Sequence, residues 1–193
     1  MKNNSAAPDL RTKIIEAAGT LFASEGYEHV SMRRIAAMAG CSQMAMYRHF
    51  KDKDDLIRYL CAEAYGTFVA KVGRQLENLK EPRERILQLV RGTVGFAVEY
   101  PQHYRLGMMM QYPNIDAARL REPLAAEFLE GCRENLRACL PPGTPRARVE
   151  TRLRQILACT HGMSLMLLSN PGTYGLTPKV AVAEVEAAVL ALL

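Results

Sequence analysis

Residues 31–53 read SMRRIAAMAGCSQMAMYRHFKDK, and their spacing describes two short helices joined by a tight turn, with one polar face left over. Ser31 is placed to cap the first helix, whose apolar positions Met32, Ile35, Ala36 and Ala39 recur at helical spacing. Gly40 suits the left-handed conformation that ends a helix, and Ser42 caps the next one. On that second helix Met46 and Phe50 share one face and are expected to pack inward. Gln43 with Tyr47, and Met44 with Arg48, form two adjacent outward rows. Asp52 and Asp55 make a capping pair that opens a third helix near Lys53, and a helix start carrying lysine is a seat for phosphate. A hairpin of this kind presents one helix to the DNA major groove.

Charge concentrates on the same stretch. Between His29 and Lys53 stand five cations, Arg33, Arg34, Arg48, Lys51 and Lys53, against the single acid Asp52, whereas the whole chain balances 25 basic against 20 acidic residues. Phosphate backbones favour such a patch through counterion release, and the tips of Gln43, Tyr47 and Arg48 can donate to bases or phosphates.

The lead-in TKIIEAAGTLFASEGYEHVSM and the run MYRHFKDKDDL, with the hairpin between them, resemble the N-terminal DNA-binding domain of the TetR family of bacterial transcriptional regulators over residues 10–60. The resemblance implies that Ser31 and Arg33 approach the backbone and groove edge. It also implies that Gln43, Met44 and Ala45 sit over bases, and that Tyr47, His49 and Lys53 hold phosphates. Ser42 and Arg48 complete the DNA-facing set, Arg48 at a position that varies within the family. Met44 stands where the family often has a small residue, and its thioether suits apolar contact with a thymine methyl. Further along, YPQHYRLGMMM and THGMSLMLLS are similar to two stretches of a C-terminal domain type in which a Trp is followed closely by His-Gly. His161 and Gly162 supply that pair, and the chain has no Trp.

At 193 residues and 49% apolar composition the chain has enough material for one sizeable core or two small domains. No apolar run reaches the roughly 18 residues that a membrane helix needs, and MKNNSAAPDL has no signal-peptide core, so a cytoplasmic protein is expected. The cysteines Cys41, Cys61, Cys132, Cys139 and Cys159 show no metal-ligand spacing and read as free thiols. No nucleophile motif, paired carboxylates or phosphate-binding glycine loop can be placed, so no catalytic residue, metal or cofactor is expected.

Outside the hairpin nearly every segment has helical period, and the breaks fall at Pro and Gly. The reading gives helices over about 10–24, 53–79, 82–100, 116–140, 146–169 and 179–193, with a short segment QHYRLGMMMQY between Pro101 and Pro113. Gly66 and Gly73 each lower the long helix's stability by about 1 kcal/mol relative to Ala, which favours adjustment there. The expected fold is all-α. A three-helix helix-turn-helix DNA-binding domain occupies 1–52, and a helical effector-binding and dimerisation domain occupies 53–193.

The last helix, KVAVAEVEAAVLALL, is apolar almost all round and needs burial on more than one side. With the preceding helix it is expected to form half of a four-helix homodimer interface, through Leu153, Leu157, Ser164, Leu168, Val182, Val185 and Val189. Soft and aromatic side chains point to an apolar effector pocket: Tyr65, Phe68, Phe96, Tyr100, His103, Tyr104, Met108, His161 and Met163. The expected function is a homodimeric regulator, a repressor released from a palindromic operator by a small apolar or amphipathic effector. The competing reading is an all-helical small-molecule-binding protein or enzyme using His103 and His161, in which the hairpin is incidental.

Overall fold

The computed structural model describes residues 9–109 and 117–193. Among them every regular element is helical: α1 (Leu10–Glu25), α2 (Met32–Met38), α3 (Gln43–Tyr47), α4 (Lys53–Leu76), α5 (Pro82–Glu99), α6 (Pro101–Tyr104), α7 (Ala117–Cys139), α8 (Arg146–Ser169) and α9 (Pro178–Leu190). Directly after α6 the chain makes a π-helical turn over Arg105–Met109. Met110 and the stop expected at Pro113 lie outside the described residues. Packing separates two units, residues 1–65 with 105–121, and residues 66–104 with 122–193.

In the N-terminal unit local chemistry sets each helix end. The Asp9 carboxylate accepts from the Thr12 amide at 2.8 Å to start α1, and Gly26, at φ 84°, ends it. Ser31 Oγ accepts from the Arg34 amide at 3.3 Å and Ser42 Oγ from the Ala45 amide at 3.1 Å. Between those caps Gly40 takes φ 71°, its N–H bonds to Ala37 O at 3.2 Å, and the Cys41 N–H bonds to Ala36 O at 2.9 Å. This pair of backward bonds closes α2 with its last carbonyls satisfied. At the head of α4 the Asp55 amide donates to Asp52 Oδ1 at 2.7 Å, and Asp55 Oδ2 accepts from the Lys51 amide at 3.0 Å. The acidic pair thus caps the helix from both directions, as its spacing predicts.

The core of this unit joins Ile14, Ala18 and Phe22 of α1 to Ile35 of α2, Met46 and Phe50 around α3, and Leu56, Ile57, Leu60 and Cys61 of α4. Leu106 of the π-helical turn is buried in the same core, and the Cys61 thiol donates to its carbonyl at 3.5 Å. Gly107 beside it has no room for a side chain without adjustment: a Cβ there would lie 3.4 Å from both Ala64 Cβ and the Tyr65 amide nitrogen. The sequence placed a boundary between residues 52 and 53. Packing places it inside α4, between Tyr65 and Gly66, because the first turns of α4 are committed to this N-terminal core.

In the C-terminal unit α5 packs on both α8 and α9, which also pack on each other. Val94, Leu167, Leu176 and Ala181 form one core cluster there. The hydroxyls of Thr160 and Ser164, both buried, donate to the carbonyls one turn back at 2.8 Å. Glu186, one of the two acids interrupting α9, accepts from Arg91 Nε at 2.5 Å, while Arg91 Nη1 reaches Glu84 at 2.8 Å. α4 ends at Leu76 rather than near Leu79. Arg85 Nη1 donates to the carbonyls of Leu76 at 3.1 Å and Leu79 at 3.0 Å, which ties off its last turn.

Candidate nucleic-acid interface and effector site

The division of labour within α3 follows from its burial pattern. Met46 and Phe50 are buried, and Gln43, Met44, Tyr47, Arg48 and His49 are exposed, Met44 at 73% and Tyr47 at 50% of their full surface. Ala45 is half-buried and Ser42, although exposed, is engaged by its capping bond. An exposed thioether beside an exposed phenol, on a helix whose other face is fully packed, is an unusual surface for a monomer in water. Ser31 and Arg33 are exposed at the head of α2.

Two of the five cations in this stretch have internal partners. Arg34 pairs with Glu25, its Nη2 donating to Oε1 at 2.8 Å. Lys53 Nζ donates to Tyr27 O at 2.9 Å and Val30 O at 3.1 Å, and stands 3.9 Å from the centre of the Tyr27 ring. Lys53 therefore holds the loop between α1 and α2, with two of its three N–H bonds committed inside the chain. Tyr27 in turn donates its hydroxyl to Asp54 Oδ1, and burial pushes the phenol's pKa well above its ordinary value. Arg33, Arg48 and Lys51 are exposed. A further cation, Arg11 of α1, lies 4.3 Å from the Tyr59 ring centre and 5.3 Å from that of Phe50. No periodic or capping signal marks Arg11, because a cation-π contact across helices depends on tertiary packing.

In the C-terminal unit the predicted aromatic residues are brought together, but largely against each other. Phe68 meets Phe96 and Phe128 edge-on, each at 5.4 Å between ring centres. Phe96 stacks on Tyr100 at 5.1 Å, and Tyr100 meets His103 at 5.8 Å. Tyr104 is fully buried, with its hydroxyl 2.5 Å from His161 Nδ1, and desolvation pushes its pKa up to about 12. Phe68 and Phe96 are buried, Met163 is half-buried beside the Val94 cluster, and Tyr65 and Met108 belong to the N-terminal unit. The nine residues expected at an effector site thus divide between two packed units. Helical period identifies apolar residues without saying which unit consumes them.

A half-open cavity of about 280 Å³ lies elsewhere, lined by α4, α5 and α7, and none of those nine residues lines it. Its apolar wall is Val69, Leu76, Ile86, Leu89 and Phe128. Two glycines open it: a Cβ at Gly73 or at Gly131 would meet nothing within 4 Å. Arg85 and Asn135 are polar groups in the lining, with Glu77 and Glu127 exposed at its edge.

The residues expected at a dimer contact differ in burial. Leu153, Ser164, Val185 and Val189 are buried inside the chain's own core, and Leu157, Leu168 and Val182 are half-buried. The core leaves a different stripe outside. Ala158, Gly162 and Leu165 on α8, and Val180, Ala183, Ala187 and Leu190 on α9, are exposed at helical spacing.

Capped helix hairpin, packed lead-in helix and exposed α3 face together define an all-helical protein with an N-terminal helix-turn-helix. Residues 14–60 match the family described as bacterial regulatory proteins, tetR family, and residues 86–192 match the tetracyclin repressor-like C-terminal domain. The chain belongs to the TetR family of bacterial regulatory proteins. It is 35% identical over 154 residues to the HTH-type transcriptional regulator HbdR of Aromatoleum sp. (strain CIB), an alignment that covers 79% of this chain and 58% of that one. The chain spans about half the length of the curated relatives it matches. A TetR-family regulator from Bordetella parapertussis shares the fold with a TM-score of 0.77 at 18% identity, covering 95% of each chain. AibR, in a complex with isovaleryl coenzyme A and operator DNA, shares it with a TM-score of 0.71 at 19% identity, covering 94% of this chain and 98% of its own. At these identities the two neighbours establish the fold.

Proposed function

We propose that the chain is a cytoplasmic homodimeric transcriptional repressor that binds a palindromic operator and is released by a small amphipathic effector. The observation that carries the DNA-binding part is the outward face of α3, where Gln43, Met44, Tyr47 and Arg48 are exposed on a helix held by buried Met46 and Phe50. Gln43 and Met44 read base edges, Ala45 lies against them, and Tyr47, His49 and the remaining Lys53 donor hold phosphates with Arg33 and Ser31. Ser42 contributes by fixing the start of α3.

Dimerisation is assigned to the exposed stripe of Ala158, Gly162, Leu165, Val180, Ala183 and Ala187, in which small residues let helices approach closely and Leu165 and Val180 supply apolar surface. Two such pairs make a four-helix contact, and a two-fold dimer places two α3 helices for two half-sites. Effector binding works through α4, one continuous helix from Lys53, at the edge of the hairpin, to Gly73 and Leu76, in the cavity wall. Release requires an effector with different affinity for the DNA-competent and DNA-incompetent states. A hundred-fold difference corresponds to about 2.7 kcal/mol of coupling. AibR, seen with both an acyl-coenzyme A and operator DNA, supports this pairing of roles for a protein of the same fold.

The enzyme reading has less behind it. His161 is engaged with buried Tyr104 and His103 with Tyr100, and among the described residues no group of three or more His, Cys, Asp or Glu is placed to hold a metal. Competition binding separates the two readings. The regulator reading requires purified protein to prefer a fragment from beside its own gene over random DNA at physiological salt; equal affinity for both would remove it.

A further inference from the structure

We infer that Met44 is a site of reversible oxidation, at which hypochlorous acid converts the thioether to a sulfoxide and switches off sequence reading by α3 while the fold stays intact. The selectivity of the oxidation stands on exposure. Its effect on DNA rests on the function proposed above.

Exposure singles out this sulfur. Met44 keeps 73% of its full surface, more than any other large apolar side chain among the described residues. Met46, two residues on, is fully buried in the three-helix core, and Met32 is buried as well. Met38 is exposed at 52%, and the remaining described methionines, Met108, Met109, Met163 and Met166, are half-buried. The thiols of the N-terminal unit are less accessible. Cys61 is buried and donates to the Leu106 carbonyl, and Cys41 is half-buried against the core. Oxidation follows access to solvent, so Met44 is the methionine that reacts first.

The step balances without a cofactor. The thioether lone pair attacks the chlorine of hypochlorous acid and hydroxide leaves; water then displaces chloride from sulfur and gives up its protons. Overall the thioether and hypochlorous acid yield the sulfoxide, a proton and chloride, and sulfur loses the two electrons that chlorine gains. Methionine sulfoxide reductases return the thioether, which makes the change reversible.

The consequence depends on where Met44 stands. α3 is held from its other face by Met46 and Phe50, so a polar oxygen on Met44 meets water in the free protein and leaves the core alone. On DNA the same oxygen is enclosed. A side chain suited to a thymine methyl becomes a strong acceptor, which thymine O4 and guanine O6 and N7, acceptors themselves, cannot satisfy. Burying it unpaired costs affinity in each half-site. Bound DNA also covers the side chain, so oxidation takes the free protein and prevents its return to the operator.

The test uses the full chain, a duplex recovered by selection from a random pool, and a stoichiometric addition of hypochlorous acid. Dithiothreitol then returns reversibly oxidised thiols, and peptide mass spectrometry locates the added oxygen. Met44 should carry it ahead of the other methionines, with the thermal unfolding midpoint unchanged and operator affinity reduced about ten-fold or more. Methionine sulfoxide reductases A and B should restore that affinity, a recovery that irreversible oxidation of a cysteine would not allow. Met44→Leu should show the same affinity before and after oxidant, whatever its starting value, whereas Met38→Leu should lose affinity as the unaltered chain does. Oxygen appearing first at another methionine, a loss that persists in Met44→Leu, or a loss that the reductases fail to reverse would overturn the inference. Untreated protein that selects no DNA sequence would remove the regulator reading and this inference with it. Untreated protein that selects one, and still binds it at full affinity after Met44 is oxidised, would overturn this inference alone.

Discussion

At the scale of single residues, the function proposed above gives Lys53 two duties. Its ammonium is tied to Tyr27 O and Val30 O, which leaves one donor for a phosphate. Lys53→Ala is therefore expected to lower stability by about 1 kcal/mol in urea unfolding, as well as to weaken DNA binding without regard to sequence and reduce the salt slope by about one unit. Full stability in Lys53→Ala would show that the loop does not depend on the amine. Gln43→Ala should behave oppositely, with native stability and salt slope but relaxed preference at one position in each half-site, read by selection on randomised operators. The sequence distinguished Met46 and Phe50 from Gln43 and Met44 because a helical period with caps at both ends fixes which side is which. It could not reveal that Arg34 is neutralised by Glu25 or that Arg11 lies over two rings, since those contacts join residues from separate elements.

At the scale of elements, the caps were the most legible features. Ser31, Gly40, Ser42 and the Asp52–Asp55 pair all do in the structure what their spacing requires. Ser42→Ala should cost about 1 kcal/mol through loss of the α3 cap, and Met46→Ala about 2 to 5 kcal/mol through the cavity it leaves in the three-helix core. Both are measurable by chemical denaturation, and a smaller loss for Met46→Ala than for Ser42→Ala would contradict the packing described for α3. Helix faces in the C-terminal unit were harder to assign. On α9 and on α8 from Ile156 onward most positions are apolar or small, so period alone offers little contrast between a core face and a partner face. The outcome follows packing rather than side-chain size: Leu153, Ser164, Ala181, Val185 and Val189 are consumed by the core, and Ala158, Gly162, Leu165, Val180, Ala183 and Ala187 remain outside. The cavity was similarly hidden. Gly73 was legible as a weak point in α4, but its meeting with Gly131 and Arg85 required α7 and α5 to be in place.

At the scale of the molecule, symmetry connects the pieces. If the exposed stripe on α8 and α9 forms the dimer, Leu165→Glu should convert the protein to a folded monomer in sedimentation analysis, whereas Leu153→Ala should destabilise the fold without selectively dissociating it. A Leu165→Glu protein that remained dimeric would move the interface elsewhere. Monomerisation should also cost the protein its operator affinity, because one α3 reads only one half-site. Under the proposed function the chain reads DNA as a symmetric pair of α3 helices. Selection of bound sequences from a random duplex pool tests it most directly. The predicted result is a palindrome whose half-sites lie about one helical turn, or a multiple of it, apart, as two symmetric recognition helices require. Enrichment of a single asymmetric site, or of no sequence at all, would contradict it.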